Sequence, residues 1–220
     1  MQHTSEHLRQ RFCRFWTESL RASGNASAIY GNLATLYSDS RRSYHTLTHL
    51  AHCFRELDDV ADLPPGDRLV IEGAIWFHDA IMTPGITFSE RMSASFAEQV
   101  CMDIGVTGSG YALNVASCIR ESAHRRQLDA SRTMGTFLDV NLSILGQPTE
   151  AYLAYAEAIQ REYEAFGIPR EAFFHGRHDI LQTFNARKPL YYTHHFRERY
   201  ERAAHENLAT EIALLEALVA

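Results

Sequence analysis

Apolar residues recur three and four positions apart along most of the chain, the spacing of amphipathic helices, and no segment carries the strict alternation of a half-buried strand. From Glu6 to Leu20 the face is Leu8, Phe12, Phe15, Trp16 and Leu20, and Gly24-Asn25 breaks it. A second helix is expected from Ser27 to Tyr37, with Ile29, Leu33, Leu36 and Tyr37 inward. The polar Ser38–Ser43 turn, which carries Arg41 and Arg42, leads to a helix through His49, Leu50, Phe54 and Leu57, closed by Pro64-Pro65-Gly66.

Pro65 and Asp67 suit the first turn of the next helix, where a missing N–H is harmless and a negative charge meets the dipole. That helix, through Leu69 to Phe77, is apolar nearly all round, which puts it in the middle of a domain with His78-Asp79 at its end. After Pro84-Gly85, Thr87-Phe88-Ser89-Glu90 reads as a capping box opening a helix to about Ile104. Further helices are expected at Tyr111–His124, Met134–Leu145, Glu150–Phe166, Pro169–Ala186 and Arg197–Leu218. With no repeat or linker, the expectation is one all-α domain over residues 1–220, a single helical bundle.

A chain of 220 residues is long enough to bury a substantial core. The formal charge of -6 excludes general binding to a nucleic-acid backbone, which needs a basic surface. No apolar run approaches the roughly 20 residues that cross a bilayer, and the polar Met1–Arg14 segment lacks the core of a signal peptide. Cys13, Cys53, Cys101 and Cys118 are scattered through helical segments without a C-x-x-C pair, as befits buried thiols in a reducing compartment. A cytoplasmic protein is expected.

The polar residues that interrupt these faces carry the chemistry. In Tyr44-His45-Thr46-Leu47-Thr48-His49 two histidines stand four apart, and on a helix they would share a face. About thirty residues later Ile75-Trp76-Phe77 ends in His78-Asp79, and Asp139 follows in Phe137-Leu138-Asp139-Val140. Imidazole and carboxylate are ordinary ligands of divalent ions. A cation would also compensate an ionised aspartate at the end of a core helix.

These segments resemble those of the HD superfamily of metal-dependent phosphohydrolases, in particular a group of small bacterial members. The similarity extends through Phe137–Gly146, Tyr155–Tyr163, Gly176-Arg177 and Glu201–Leu208, almost the whole chain. It implies an HD-type helical fold and a divalent metal held by His49, His78, Asp79 and Asp139. The Tyr-His-x-x-x-His segment is also similar to that of cyclic-nucleotide phosphodiesterases, which makes His45 the candidate general acid and His49 the ligand. The reaction implied is hydrolysis of a phosphate ester or anhydride by metal-activated water, with Asp79 at the catalytic centre. His124 and Arg125, in the basic run Arg120 to Arg126, are the expected substrate contacts.

Two departures from the family bear on these expectations. Some single-metal members place a catalytic glutamate three residues after the aspartate, where this chain has Met82; Glu90 is the candidate substitute base. Two-metal members carry two further histidines between the His-Asp pair and the last aspartate, where only His124 lies here. One ion is therefore expected rather than two, with Mn, Co, Mg, Zn, Fe and Ni not distinguished. The expected substrate is a small phosphorylated compound, nucleotides included. The alternative is a non-catalytic regulatory module that keeps the metal and binds a nucleotide. The basic, aromatic Tyr191–Arg202 stretch reads as a helix start with a charged outer face, and the last helix's apolar face can pack internally or against a second copy.

Overall fold

The computed structural model describes residues 2–85, 88–106 and 110–219, and among them every regular element is helical. The chain forms two compact units, Met1–Arg126 and Gln127–Ala220. In the first, α1 (Gln2–Arg14) runs into a π-helical turn at Phe15–Ser19, followed by α2 (Ala26–Leu36), α3 (Leu47–Asp58), α4 (Pro65–Phe77), α5 (Ser89–Asp103) and α6 (Tyr111–Glu121). In the second, α7 (Arg132–Leu142) and a 3₁₀ turn at Ser143–Gly146 precede α8 (Thr149–Ala165), α9 (Arg170–Asn185) and α10 (His194–Val219). No described helix is long and apolar enough to cross a membrane.

Helix α4 is the centre of the first unit, as its all-round apolar sequence requires. Pro65 and Asp67 open it, and Ile71, Ala74, Ile75 and Trp76 are completely buried. The Trp76 ring meets Phe54 at 4.5 Å and Phe12 edge-on at 5.0 Å, joining α4 to α3 and α1. Arg11 of α1 adds a polar clasp, with Nη1 2.6 Å from Asp58 of α3 and Nη2 2.7 Å from Glu72 of α4. Gly73 lets α6 approach: a Cβ there would collide with the Tyr111 hydroxyl and come within 2.9 Å of Val115.

The direction of the helices fixes which ends coincide. Phe77 meets Phe96 edge-on at 5.9 Å, and the Ile81 N–H donates to Ser93 Oγ at 3.0 Å, so the first half of α5 lies against the end of α4. Helix α5 therefore runs back along α4, and α6 pairs with it as a hairpin, Arg120 reaching Glu98 at 2.8 Å. Since α6 starts against Gly73, it travels in the direction of α4 and finishes at the end where His78 and Asp79 emerge.

Several boundaries depart from expectation for local reasons. Helix α6 ends at Glu121, and His124 lies beyond it with φ 51°, a left-handed backbone that breaks the helix. The proposed capping box is not the start of α5: Thr87 lies outside the described residues, and Phe88 precedes the helix without a side-chain cap. Ser89 is engaged elsewhere, its hydroxyl accepting from the Thr83 N–H at 3.1 Å. Three cysteines are buried as expected, while Cys13 is half-buried on α1.

The second unit is built on α10, the longest helix, with Ala204, Leu208, Ile212 and Leu215 buried on one face. A buried ion pair ties α9 to it: Arg177 grips Glu211 at 2.8 and 3.1 Å, while Tyr152 of α8 donates to the same carboxylate. Asn207 of α10 donates to the carbonyls of Leu145 and Gln147, both at 2.9 Å, closing the chain after α7.

Candidate metal centre

The end of α4 delivers two of the three side chains that meet. His78 caps the helix, and its Nδ1 lies 2.9 Å from the Ile75 carbonyl, an oxygen that can only accept. Nδ1 therefore carries a hydrogen, and Nε2 turns to the other side of the ring. Asp79 follows outside the helix, its N–H donating to the Tyr37 hydroxyl at 3.2 Å. That hydroxyl in turn donates to the Trp76 carbonyl at 3.2 Å, so Tyr37 ties off the end of α4.

The third side chain is His49, in the first turn of α3 and almost wholly buried. Its Nε2 lies 3.0 Å from His78 Nε2 and 3.5 Å from Asp79 Oδ2, and His78 Nε2 lies 2.9 Å from that same oxygen. The three offer one ligand atom each, all within 4.8 Å of one another. Donors bound at about 2.1 Å and at right angles around one ion would stand about 3 Å apart. Two imidazole nitrogens this close cannot both present bare lone pairs; they share a proton or a cation. The residues fit a divalent ion.

Electrostatics agrees. Burial, reinforced by His78, holds the His49 imidazole well below its ordinary pKa, so it is neutral as a ligand must be. Burial pushes the Asp79 carboxyl up, but His78, His45 and His49 pull harder, and the carboxyl stays below the usual carboxylate range. A largely buried carboxylate surrounded by imidazoles is ready to accept a cation.

The condition under which His45 and His49 would share a helical face is not met. Thr46 is the N-cap of α3, its hydroxyl accepting from the Thr48 N–H at 3.3 Å, so the helix begins between the two histidines. His45 nevertheless reaches the cluster from the turn, with Nε2 3.9 Å from Asp79 Oδ2 and its side chain 22% exposed. His124 is buried and follows α6, at the end of the unit where α4 stops; Arg125 beside it is exposed. Glu90 lies in the first turn of α5, partly exposed.

Asp139 belongs to the second unit and is held by its own neighbours. One oxygen accepts the Tyr192 N–H at 2.7 Å; the other accepts the Thr193 N–H at 2.7 Å and the Thr193 hydroxyl at 2.8 Å. Burial pushes this carboxyl up to about 7 against the pull of those donors. The contacts anchor the segment just before α10, in keeping with a helix start at Tyr191–Arg202.

Two residues that pattern reading passed over hold the first unit's cluster in shape. The buried guanidinium of Arg42 donates from Nη1 to the carbonyls of His45 (3.1 Å) and Asp79 (2.7 Å) and from Nη2 to that of Ala80 (3.0 Å). Tyr37 is the other, with Arg42 stacked 5.2 Å from its ring centre. Beneath His49, Cys53 Sγ packs 3.7 Å from Nε2, its thiol kept protonated by burial. No family model, curated protein or solved structure matches the chain.

Proposed function

We propose that the chain is a metal-dependent phosphohydrolase of the HD type, acting on a small phosphorylated compound such as a nucleotide. The observation that carries this reading is the convergence of His49, His78 and Asp79 on one point, with His78 oriented by the Ile75 carbonyl. A single divalent ion of the Mn, Co, Mg, Zn, Fe or Ni class, held there, supplies a polarised phosphoryl oxygen and a nucleophilic water near neutral pH. His45, 3.9 Å from Asp79 and partly open to solvent, is the proposed general acid that gives a proton to a leaving oxygen. His124 is the proposed phosphate contact, because a buried non-glycine residue in a left-handed conformation is a strain that functional sites tolerate. Arg125 is its proposed companion, and Glu90 the proposed water-orienting base. The buried thiols suit a reducing compartment such as the cytoplasm.

Hydrolysis of a panel of nucleotides and phosphomonoesters, with Mn²⁺, Co²⁺, Mg²⁺ or Zn²⁺ added, tests the proposal. Turnover should appear with at least one ion, vanish on chelation and vanish in His78→Ala and Asp79→Ala. Activity indifferent to all three treatments would sink it. One feature favours a second reading, a non-catalytic nucleotide-binding module: Met82 stands where some single-metal relatives of the HD type carry glutamate. Saturable nucleotide binding without turnover would select that reading.

A further inference from the structure

A cavity of about 600 Å³ lies in the first unit between the start of α1, the turn after α2 and the first turn of α3. Its lining includes Thr4, Ser38, Ser40, Arg42 and Thr48, and none of His49, His78 or Asp79. The volume falls within the range of small-ligand sites, roughly 300–1,000 Å³. Three features set the chemistry of its occupant.

The first is an unbalanced buried cation. Arg42 is only 9% exposed, and the groups it bonds are neutral carbonyls; among the described residues no carboxylate pairs with it. A buried guanidinium without a counter-charge favours an anion at the open side of its fork. Asp39 also lines the cavity, but Arg41 holds its carboxylate at 2.6 and 3.0 Å and keeps its pKa down at about 2, so that negative charge is already met.

The second feature is the positive end of α3. Helix α3 runs for 12 residues from Leu47, and its first turn, with Thr46 as cap, forms part of the wall. The third is a set of hydroxyls at the rim: Thr4 is half-buried and Ser38, Ser40 and Thr48 are exposed, and all four line one space. Hydroxyl groups that both donate and accept suit a polyol.

We infer that this cavity binds a phosphorylated sugar, its phosphate against Arg42 and the start of α3 and its hydroxyls among Thr4, Ser38, Ser40 and Thr48. Arg42 also holds the Asp79 and His45 backbone, so the occupant touches the residue that shapes the neighbouring cluster. The inference is independent of whether that cluster hydrolyses anything.

Titration calorimetry on the chelated full-length protein, with ribose 5-phosphate and inorganic phosphate as probes, decides it. One ribose 5-phosphate per chain is expected to bind, several-fold more tightly than phosphate alone. Thr48→Val keeps shape and removes one hydroxyl, and should weaken the sugar phosphate severalfold; Arg42→Gln should weaken both probes by about tenfold or more. Asp79→Asn should leave both affinities unchanged. The inference is overturned by no saturation at roughly 10 mM, by equal affinity for the two probes, or by binding that Asp79→Asn abolishes and Thr48→Val does not touch.

Discussion

Asp79, just past the end of α4, and Asp139, inside α7, are both largely buried aspartates, yet their surroundings differ in kind. Around Asp139 the protein supplies three hydrogen-bond donors, two of them backbone N–H groups, all within 2.8 Å. Around the Asp79 carboxylate it supplies imidazoles: His78 at 2.9 Å, His49 at 3.5 Å and His45 at 3.9 Å. The three donors take up most of the Asp139 carboxylate's accepting capacity from within its own unit. Imidazole nitrogens are themselves ligands, so here the same negative charge could form one corner of an ion site. The first arrangement fastens a helix start, and the second is arranged to take up a cation.

Substituting each aspartate tests this contrast most forcefully. Asp79→Ala should remove stoichiometric metal binding, lowering affinity by more than the 10–100-fold typical of an outer-shell change. Asp139→Ala should leave metal content unchanged and lower stability to denaturant by about 2 kcal/mol, as three donors lose their acceptor. Metal lost from Asp139→Ala with stability intact would transfer that residue to the ion and erase the contrast.

The sequence spacing identifies much of the first unit's cluster because its members close predictable elements. An all-apolar helix opened by Pro65 had to be central, so the residues ending it had to be buried and compensated. The roles of Tyr37 and Arg42 leave no such trace. Their hydroxyl and guanidinium meet backbone carbonyls about forty residues on, and any residue has a carbonyl. Tyr37 looks like a helix-ending core residue, and Arg42 like a solvated charge in a polar turn. The i, i+4 spacing of His45 and His49 leaves open whether both are helical, and Thr46 at the cap settles it by putting His45 in the turn. Asp139 carries no local mark of its partners either, since Tyr192 and Thr193 bind it through main-chain N–H groups more than fifty residues away.

A milder probe of the contrast is Tyr37→Phe, which keeps the ring and deletes the hydroxyl between the Trp76 carbonyl and the Asp79 N–H. Metal affinity is expected to fall about tenfold, with ligand identity unchanged. An unaltered affinity would show that Asp79 needs no such support.

Acidity should produce the smallest effect, with a definite sign. Because His49 has its pKa lowered on folding, the unfolded chain binds the extra proton first, starting near the ordinary imidazole value of about 6.5. Its contribution to stability is therefore full above that pH and is lost as pH falls. Asp79, also lowered, adds a loss of the same sign below about 4. In chelated protein, denaturant midpoints should fall between pH 7 and pH 5, and His49→Phe should flatten that slope. A midpoint that rises on acidification would contradict the assignment.

The most direct test of the central claim is a crystal of the purified protein, with the ion located by anomalous scattering at its absorption edge and counted by elemental analysis. The account predicts one divalent ion per chain, bonded to His49 Nε2, His78 Nε2 and Asp79 Oδ2. An ion found elsewhere, or those three side chains closed on one another by a shared proton in metal-replete protein, would contradict it.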